Sequence, residues 1–212
     1  MRILFQGDSI TDGGRDYRNY HNLGNGYPKY AAELIQKAFP TQTFEFFNFG
    51  VAGNPTARVF ERLYHDGIFF QPDVFSILVG INDIYYRHLT NAPMPILTTD
   101  EQIAANYRAI LSNVKKHTNA KILVLSPYLL DCEDMAFLRP ELERLQITVH
   151  ALADEFADAY IPLDRLFDAA LKTQPSPQYY SKDGIHPNEE GAKFIAKHYC
   201  EAIKPLINAI LR

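Results

Sequence analysis

The apolar positions alternate between two spacings along the chain. An unbroken apolar run at 3–5, a run at 74–79 interrupted only by Ser76, and an aromatic-rich segment at 43–49 read as strands. Runs without polar alternation suit strands buried on both faces, as in a parallel sheet. Residues 120–126 and 160–163 add a fourth and a fifth strand. Between the strands the apolar spacing changes to three and four. It predicts a helix over 27–38, with Pro28 in its first turn and Tyr30, Ala31, Leu34 and Ile35 on its apolar face, and another over 57–70. Thr99 and Gln102 form a capping-box pattern ahead of Ile103, Tyr107, Ile110, Leu111 and Val114. Leu142, Leu145, Val149, Leu152 and Phe156 mark the next helix, and a weaker one covers 165–173. The last helix starts at Asn188. Glu189 and Glu190 in its first turn complement the positive end of its dipole.

Strand and helix alternate five times. That pattern predicts one α/β domain over 1–212, with a parallel sheet, right-handed crossovers and helices on both faces. There is no repeat, linker or low-complexity segment. Three long irregular stretches, 12–26, 84–98 and 128–139, interrupt the pattern, and loops of that length are usually functional or disordered.

Composition narrows the function classes. The 212 residues carry a formal net charge of −4, which argues against a nucleic-acid surface. No apolar run reaches the roughly 18 residues that cross a bilayer. The amino terminus reads as a strand carrying a polar cluster, not a removable apolar leader, so a cytoplasmic protein is expected. Cys132 and Cys200 are the only cysteines and read as reduced thiols. Without a CxxC or a Cys-His cluster, no metal site is expected, and nothing calls for a cofactor. Surface aromatics leave room for a homo-oligomer.

Polar clusters punctuate the ends of the predicted strands, where open parallel sheets place ligands. They are Gly7-Asp8-Ser9, the segment from Gly50 to Gly53, Gly80-Ile81-Asn82-Asp83, and Asp183-Gly184-Ile185-His186. Ser9 alone could be a nucleophile, a helix N-cap or a phosphate-contacting hydroxyl. Together the clusters supply what acyl transfer needs: a nucleophile (Ser9), a base (His186), a group to orient the base (Asp183), and oxyanion donors in the Ser9 and Gly53 N–H groups and the Asn82 amide. Asp83 reads equally well as a turn residue, and Asp8 as a support for the nucleophile turn. His21 and His88 lie in the site loops, and Arg58 reads as helix surface.

At these residues the chain resembles the SGNH hydrolases, also called the GDSL esterases and lipases. Gly7-Asp8-Ser9-Ile10-Thr11 is similar to the first block of that family, with Ile10 where its name has leucine. The segment from Asn48 to Asn54, Gly80-Ile81-Asn82-Asp83 and the Asp183-Gly184-Ile185-His186-Pro187 run resemble the other three. The resemblance implies a flavodoxin-like three-layer αβα sandwich with strand order 2-1-3-4-5, and ester hydrolysis without metal or cofactor. Within the family, Gly24-Asn25-Gly26-Tyr27 and the run around Asn82 resemble the carbohydrate esterases that deacetylate xylan-type sugars. The implied substrate is a small acetylated sugar. Asp8, Tyr17, Tyr20, Tyr27, Tyr85 and Tyr86 are candidates to contact it by stacking or hydrogen bonding. A lysophospholipase or thioesterase is the alternative within the family. A phosphate- or flavin-binding module using Gly7 to Gly14 is the alternative outside it, and it leaves Asp183 and His186 without a role.

Overall fold

The computed structural model describes residues 1–89, 98–174 and 176–212. β1 (Arg2–Gly7), β2 (Glu45–Gly50), β3 (Val74–Leu78), β4 (Lys121–Leu125) and β5 (Ala159–Ile161) form one parallel sheet in the order β2-β1-β3-β4-β5. This is the order the resemblance implies. Ile3, Leu4 and Phe5 have no solvent exposure, as an inner strand covered on both faces requires. Right-handed crossovers from β1 out to β2, and then back to β3 and beyond, place their helices on opposite faces. On one face α2 (Tyr27–Ala38) packs against α8 (Glu189–Ile210). On the other, α3 (Thr56–Asp66), α5 (Asp100–His117) and α6 (Arg139–Phe156) pack side by side. Phe5 joins the first layer, with ring centroids 5.8 Å from Tyr27 and 5.1 Å from Tyr199. Its neighbour Gln6 turns to the other face and donates to Asp66 O.

Short elements sit at the carboxyl edge of the sheet. α1 (Ser9–Asp12) follows β1, α4 (Ile81–Tyr85) follows β3, and α7 (Leu163–Ala170) follows β5. The crossovers diverge between β1 and β3, so α1 and α4 flank the switch point of the sheet.

The structure refines several sequence boundaries. The helix predicted over 57–70 ends at Asp66, where Gly67 leaves helical geometry, and a separate 3₁₀ turn spans Ile68–Phe70. The stretch 84–98 is partly ordered: α4 runs to Tyr85 and a 3₁₀ turn covers Tyr86–His88, while 90–97, with Pro93 and Pro95, lie outside the described residues. Within 128–139 a 3₁₀ turn spans Glu133–Leu138, and α6 already begins at Arg139. β5 stops at Ile161 because Pro162 has no N–H for the ladder, and Leu163 opens α7. The capping box at Thr99 forms as read, with Thr99 N donating to Gln102 Oε1 at 2.8 Å and Gln102 N donating to Thr99 Oγ1 at 3.3 Å.

Asn48 holds the long loop after α1 to the sheet. Its amide donates to Thr11 O at 2.8 Å and Leu23 O at 3.0 Å, and its Oδ1 accepts from Gly50 N at 2.9 Å. Gly50 lets α1 lie flat on β2: a Cβ there would fall 2.2 Å from Asp12 N. Because the Thr11 carbonyl is buried and the Leu23 carbonyl half-buried, Asn48→Ala strands them without this donor. The expected loss is about 3 kcal/mol of stability. Urea unfolding checks it, and a loss under about 0.5 kcal/mol contradicts the anchoring role.

Candidate active site

Two loops bring Ser9, His186 and Asp183 together. Ser9 opens α1, and Asp8 caps that short helix: its Oδ1 accepts from Ile10 N at 3.0 Å. The cap is therefore Asp8, which leaves the Ser9 hydroxyl free for another partner. It lies 2.9 Å from His186 Nε2. His186 Nδ1 lies 2.7 Å from Asp183 Oδ2. With Nδ1–H donated to that carboxylate, Nε2 is left as the acceptor for the serine proton.

The Asp183 loop folds on itself. Asp183 Oδ1 accepts from Ile185 N at 3.0 Å, His186 N at 2.7 Å and Ser181 Oγ at 3.1 Å. The loop does not directly follow a strand, as its sequence position suggested. It comes after α7 and a 3₁₀ turn at Pro177–Tyr179, just before Asn188 caps α8. Leu130 N, beyond the end of β4, donates to Gly184 O at 2.9 Å and ties the loop to the sheet edge.

The proposed oxyanion donors face the same edge. Gly53 holds φ at +75°, a left-handed conformation that costs glycine little. Neither Ser9 N–H nor Gly53 N–H donates to a protein acceptor among the described residues. The Asn82 amide makes only long contacts, 3.4 Å to Asp8 Oδ2 and 3.4 Å to Asn54 O, so it remains available to a ligand. Asp83 is buried and structural: it accepts from Thr56 N at 2.8 Å, Thr56 Oγ1 at 2.6 Å and Thr98 Oγ1 at 3.1 Å. A cleft of about 250 Å³ opens over Ser9 and His186 between Ile81, Tyr85, Met135 and Ile185.

The other residues read as substrate contacts divide. Tyr85 lines the cleft. Tyr86 donates its hydroxyl to Gly53 O at 2.6 Å. Tyr17 donates to Asp12 Oδ2 and lies beneath the Arg15 guanidinium. Tyr20 packs on Phe49 and Phe70 over the edge of the sheet. Tyr27 is corrected outright: it has no exposure and belongs to the core beside Phe5 and Tyr199, because the first residue of α2 points its ring inward. Asp8 is buried too, so it supports the turn and does not meet substrate. Sequence reasoning missed Arg62, which donates to Gly7 O at 3.0 Å, Phe49 O at 2.7 Å and Asn54 Oδ1 at 2.9 Å, tying β1 and β2 to the Gly53 loop. Arg58, read as helix surface, pairs there with Glu61. Met135 and Ile185 were also missed as cleft walls, although Ile185 lies inside the Asp-x-x-His motif.

Residues 5–194 match the family model of the GDSL-like Lipase/Acylhydrolase family. An acetylxylan esterase from Geobacillus stearothermophilus is 26% identical over 209 residues, covering 95% of this chain and 93% of the relative. The crystal structure of that acetylxylan esterase superposes with a TM-score of 0.87, covering 96% of this chain and 94% of the other. It has also been solved as catalytic mutants in which a serine, an aspartate or a histidine is replaced by alanine. A structure from Parabacteroides merdae, described as a GDSL-like lipase, is 33% identical with a TM-score of 0.86, covering 97% of this chain and 95% of the other. The chain belongs to the GDSL-like lipase/acylhydrolase family and is a carboxylic ester hydrolase.

Burial governs the charges around the site. Asp183 feels a rise from burial, but the hydrogen bonds from His186 and Ile185 outweigh it and hold the carboxyl below its ordinary value. Asp83 is pushed up by burial, against the hydrogen bonds from Thr56 and Thr98. Asp8 is pushed from 3.8 up to about 7, chiefly by burial, with the Ile10 N–H and His186 opposing and Asp83 reinforcing. Between those values the native state keeps a proton that the unfolded chain has released, so stability falls as pH rises through that window. Asp8→Asn keeps the acceptor for Ile10 N and removes the charge. Relative to wild type it is expected to gain on the order of 3 kcal/mol between pH 4 and pH 8. Urea unfolding of both proteins across this range checks it, and a difference independent of pH contradicts it.

Proposed function

We propose that the protein is a serine esterase that removes acetyl groups from small acetylated sugars, xylo-oligosaccharides first among them. The observation that carries this reading is the continuous path from Ser9 Oγ to His186 Nε2 and from His186 Nδ1 to Asp183. Ser9 attacks the acyl carbon as its proton passes to His186, and Asp183 holds the imidazole in the required tautomer. The developing oxyanion is met by the Ser9 and Gly53 N–H groups and the Asn82 amide, and one such donor typically contributes about 3 kcal/mol to the transition state. The C–O bond then breaks, the proton on His186 goes to the leaving alcohol, and the acetyl group stays on Ser9. Water, deprotonated by the same imidazole, releases acetate and restores the serine.

The sugar assignment rests on the relatives and on the cleft. The Geobacillus stearothermophilus relative, of similar length, is named an acetylxylan esterase, and two of its structures are described as those of an acetyl-xylooligosaccharide esterase. The cleft, at about 250 Å³, lies below the roughly 300–1,000 Å³ of sites that enclose a drug-sized ligand. That suits a short acyl group better than a fatty acyl chain. Asn82 and the aromatic ring of Tyr85 give the rim the polar and stacking character a sugar uses. Cys132 and Cys200 are free thiols, which fits a reducing, cytoplasmic setting.

Acetate release from acetylated xylo-oligosaccharide by wild type and by Ser9→Ala tests the reading. Wild type is expected to turn over and Ser9→Ala to lose at least about a thousand-fold in kcat. Asp183→Asn should lose less than Ser9→Ala, since Asp183 orients and does not react. Higher kcat/KM on lysophospholipid or a long acyl thioester than on the acetylated sugar would sink the substrate assignment and leave the nucleophile standing.

A further inference from the structure

Tyr86 is poorly placed to contact substrate, because its hydroxyl is already committed. It donates to Gly53 O at 2.6 Å, and a Cβ on Gly53 would fall 2.8 Å from the same oxygen. Tyr86 directly follows α4, the short helix that carries Asn82. The segment formed by α4 and Tyr86 is clamped to residues 53–56 along its length. At one end stand the two bonds from Thr56 to Asp83, at 2.8 and 2.6 Å. At the other stands the phenol of Tyr86 on Gly53. Between them the Asn82 amide reaches Asn54 O.

Gly53 is the weak point of this arrangement. Its φ of +75° is one that glycine enters and leaves at little cost, so its peptide groups need an outside hold to keep one direction. Arg62 fixes the next side chain along, at Asn54 Oδ1, but does not reach the Gly53 peptide. The peptide joining Gly53 to Asn54 has two holds: Asn54 N donates to Val51 O at 3.1 Å and closes the turn, and the Tyr86 hydroxyl on Gly53 O ties that turn to the end of α4. Burial, followed by the charges of Asp8 and Asp83, raises the Tyr86 phenol above its ordinary value, so it stays a donor through neutral pH.

We propose that Tyr86 is a positioning residue for ester hydrolysis: by holding Gly53 O it ties the turn that presents the Gly53 N–H to the end of α4, so that this N–H and the Asn82 amide keep one mutual position and act as one preset pair of oxyanion donors. This rests on the esterase reading of the site. It also separates Tyr86 from Tyr85, its neighbour in sequence, which faces the cleft. A preset pair of donors stabilises charge only as it develops, so its loss falls on kcat and not on ground-state binding.

The test is Tyr86→Phe, which keeps the ring and removes only the hydroxyl. It is assayed on p-nitrophenyl acetate and on acetylated xylo-oligosaccharide, with far-UV circular dichroism and melting temperature checking the fold. The expected result is a fall in kcat of about ten-fold on both substrates with KM nearly unchanged. In Tyr86→Phe/Asn82→Ala the combined loss should fall short of the product of the two single losses, as for groups acting on the same charge. An unchanged kcat overturns the proposal. So does a rise in KM confined to the sugar ester, which would make Tyr86 a substrate contact after all. Ser9→Ala run alongside separates the two levels. If it is inert while Tyr86→Phe is fully active, the proposal alone fails. If it retains turnover, the esterase reading fails and the proposal with it.

Discussion

Both oxygens of Asp183 are engaged, and the geometry of the site depends on how they are divided. One gathers the backbone N–H groups of Ile185 and His186 and the Ser181 hydroxyl, which closes the loop into a compact turn. The other takes the imidazole Nδ1. A histidine three residues after an aspartate is thereby fixed in position and tautomer by its own loop, with little help from the protein core. This matters because the pair is half exposed, with side-chain exposures of 54% for His186 and 45% for Asp183. An exposed ion pair held by a single contact contributes little. Here four hydrogen bonds share one carboxylate, and several of them are to backbone.

The opposite wall is built on other principles. Ser9, Gly53 and Asn82 come from three separate sheet connections, and buried groups behind them set their spacing. Asp8 caps the helix that opens with Ser9, Asp83 bolts α4 to α3, and Arg62 joins the ends of β1 and β2 to Asn54. Two buried carboxyls so close to Ser9 carry an energetic penalty, visible in the raised pKa of Asp8 and Asp83. Functional sites often hold such perturbed groups. In this chain they serve as struts, and the proposed proton chemistry belongs to the exposed histidine.

The layered fold was legible because the strands are short apolar or aromatic runs and the long helices have a clear three-and-four spacing, whereas α1 and α4 are too short to show a period. Strand order came from the resemblance, since local patterns do not encode which strands pair. Ser9 and Asn82 could be picked out because polar residues crowd the ends of apolar runs, and Asp183 and His186 because their three-residue spacing lets one loop pair them. The structure brings them to one edge. What the sequence hid was direction. Tyr27 and Tyr86 both read as substrate contacts, yet one ring turns into the core and the other spans to a backbone carbonyl. Arg62 sits on a helix among other charged residues, and nothing in its spacing sets it apart from Arg58. Met135 lies in a stretch read as loop, where apolar residues give no periodic signal. Asp83 was ambiguous for a related reason: a buried carboxylate bonded to Thr56 and a turn residue look alike until partners 27 positions away are known.

The central claim is that His186 makes Ser9 the one reactive hydroxyl of this chain. Intact-mass spectrometry after treatment with diethyl p-nitrophenyl phosphate, which phosphorylates activated serines, tests it most directly. The account predicts a single diethylphosphoryl adduct, mapped by peptide digestion to Ser9 and lost in His186→Ala. An unlabelled protein, a label on another residue, or equal labelling of His186→Ala would contradict it.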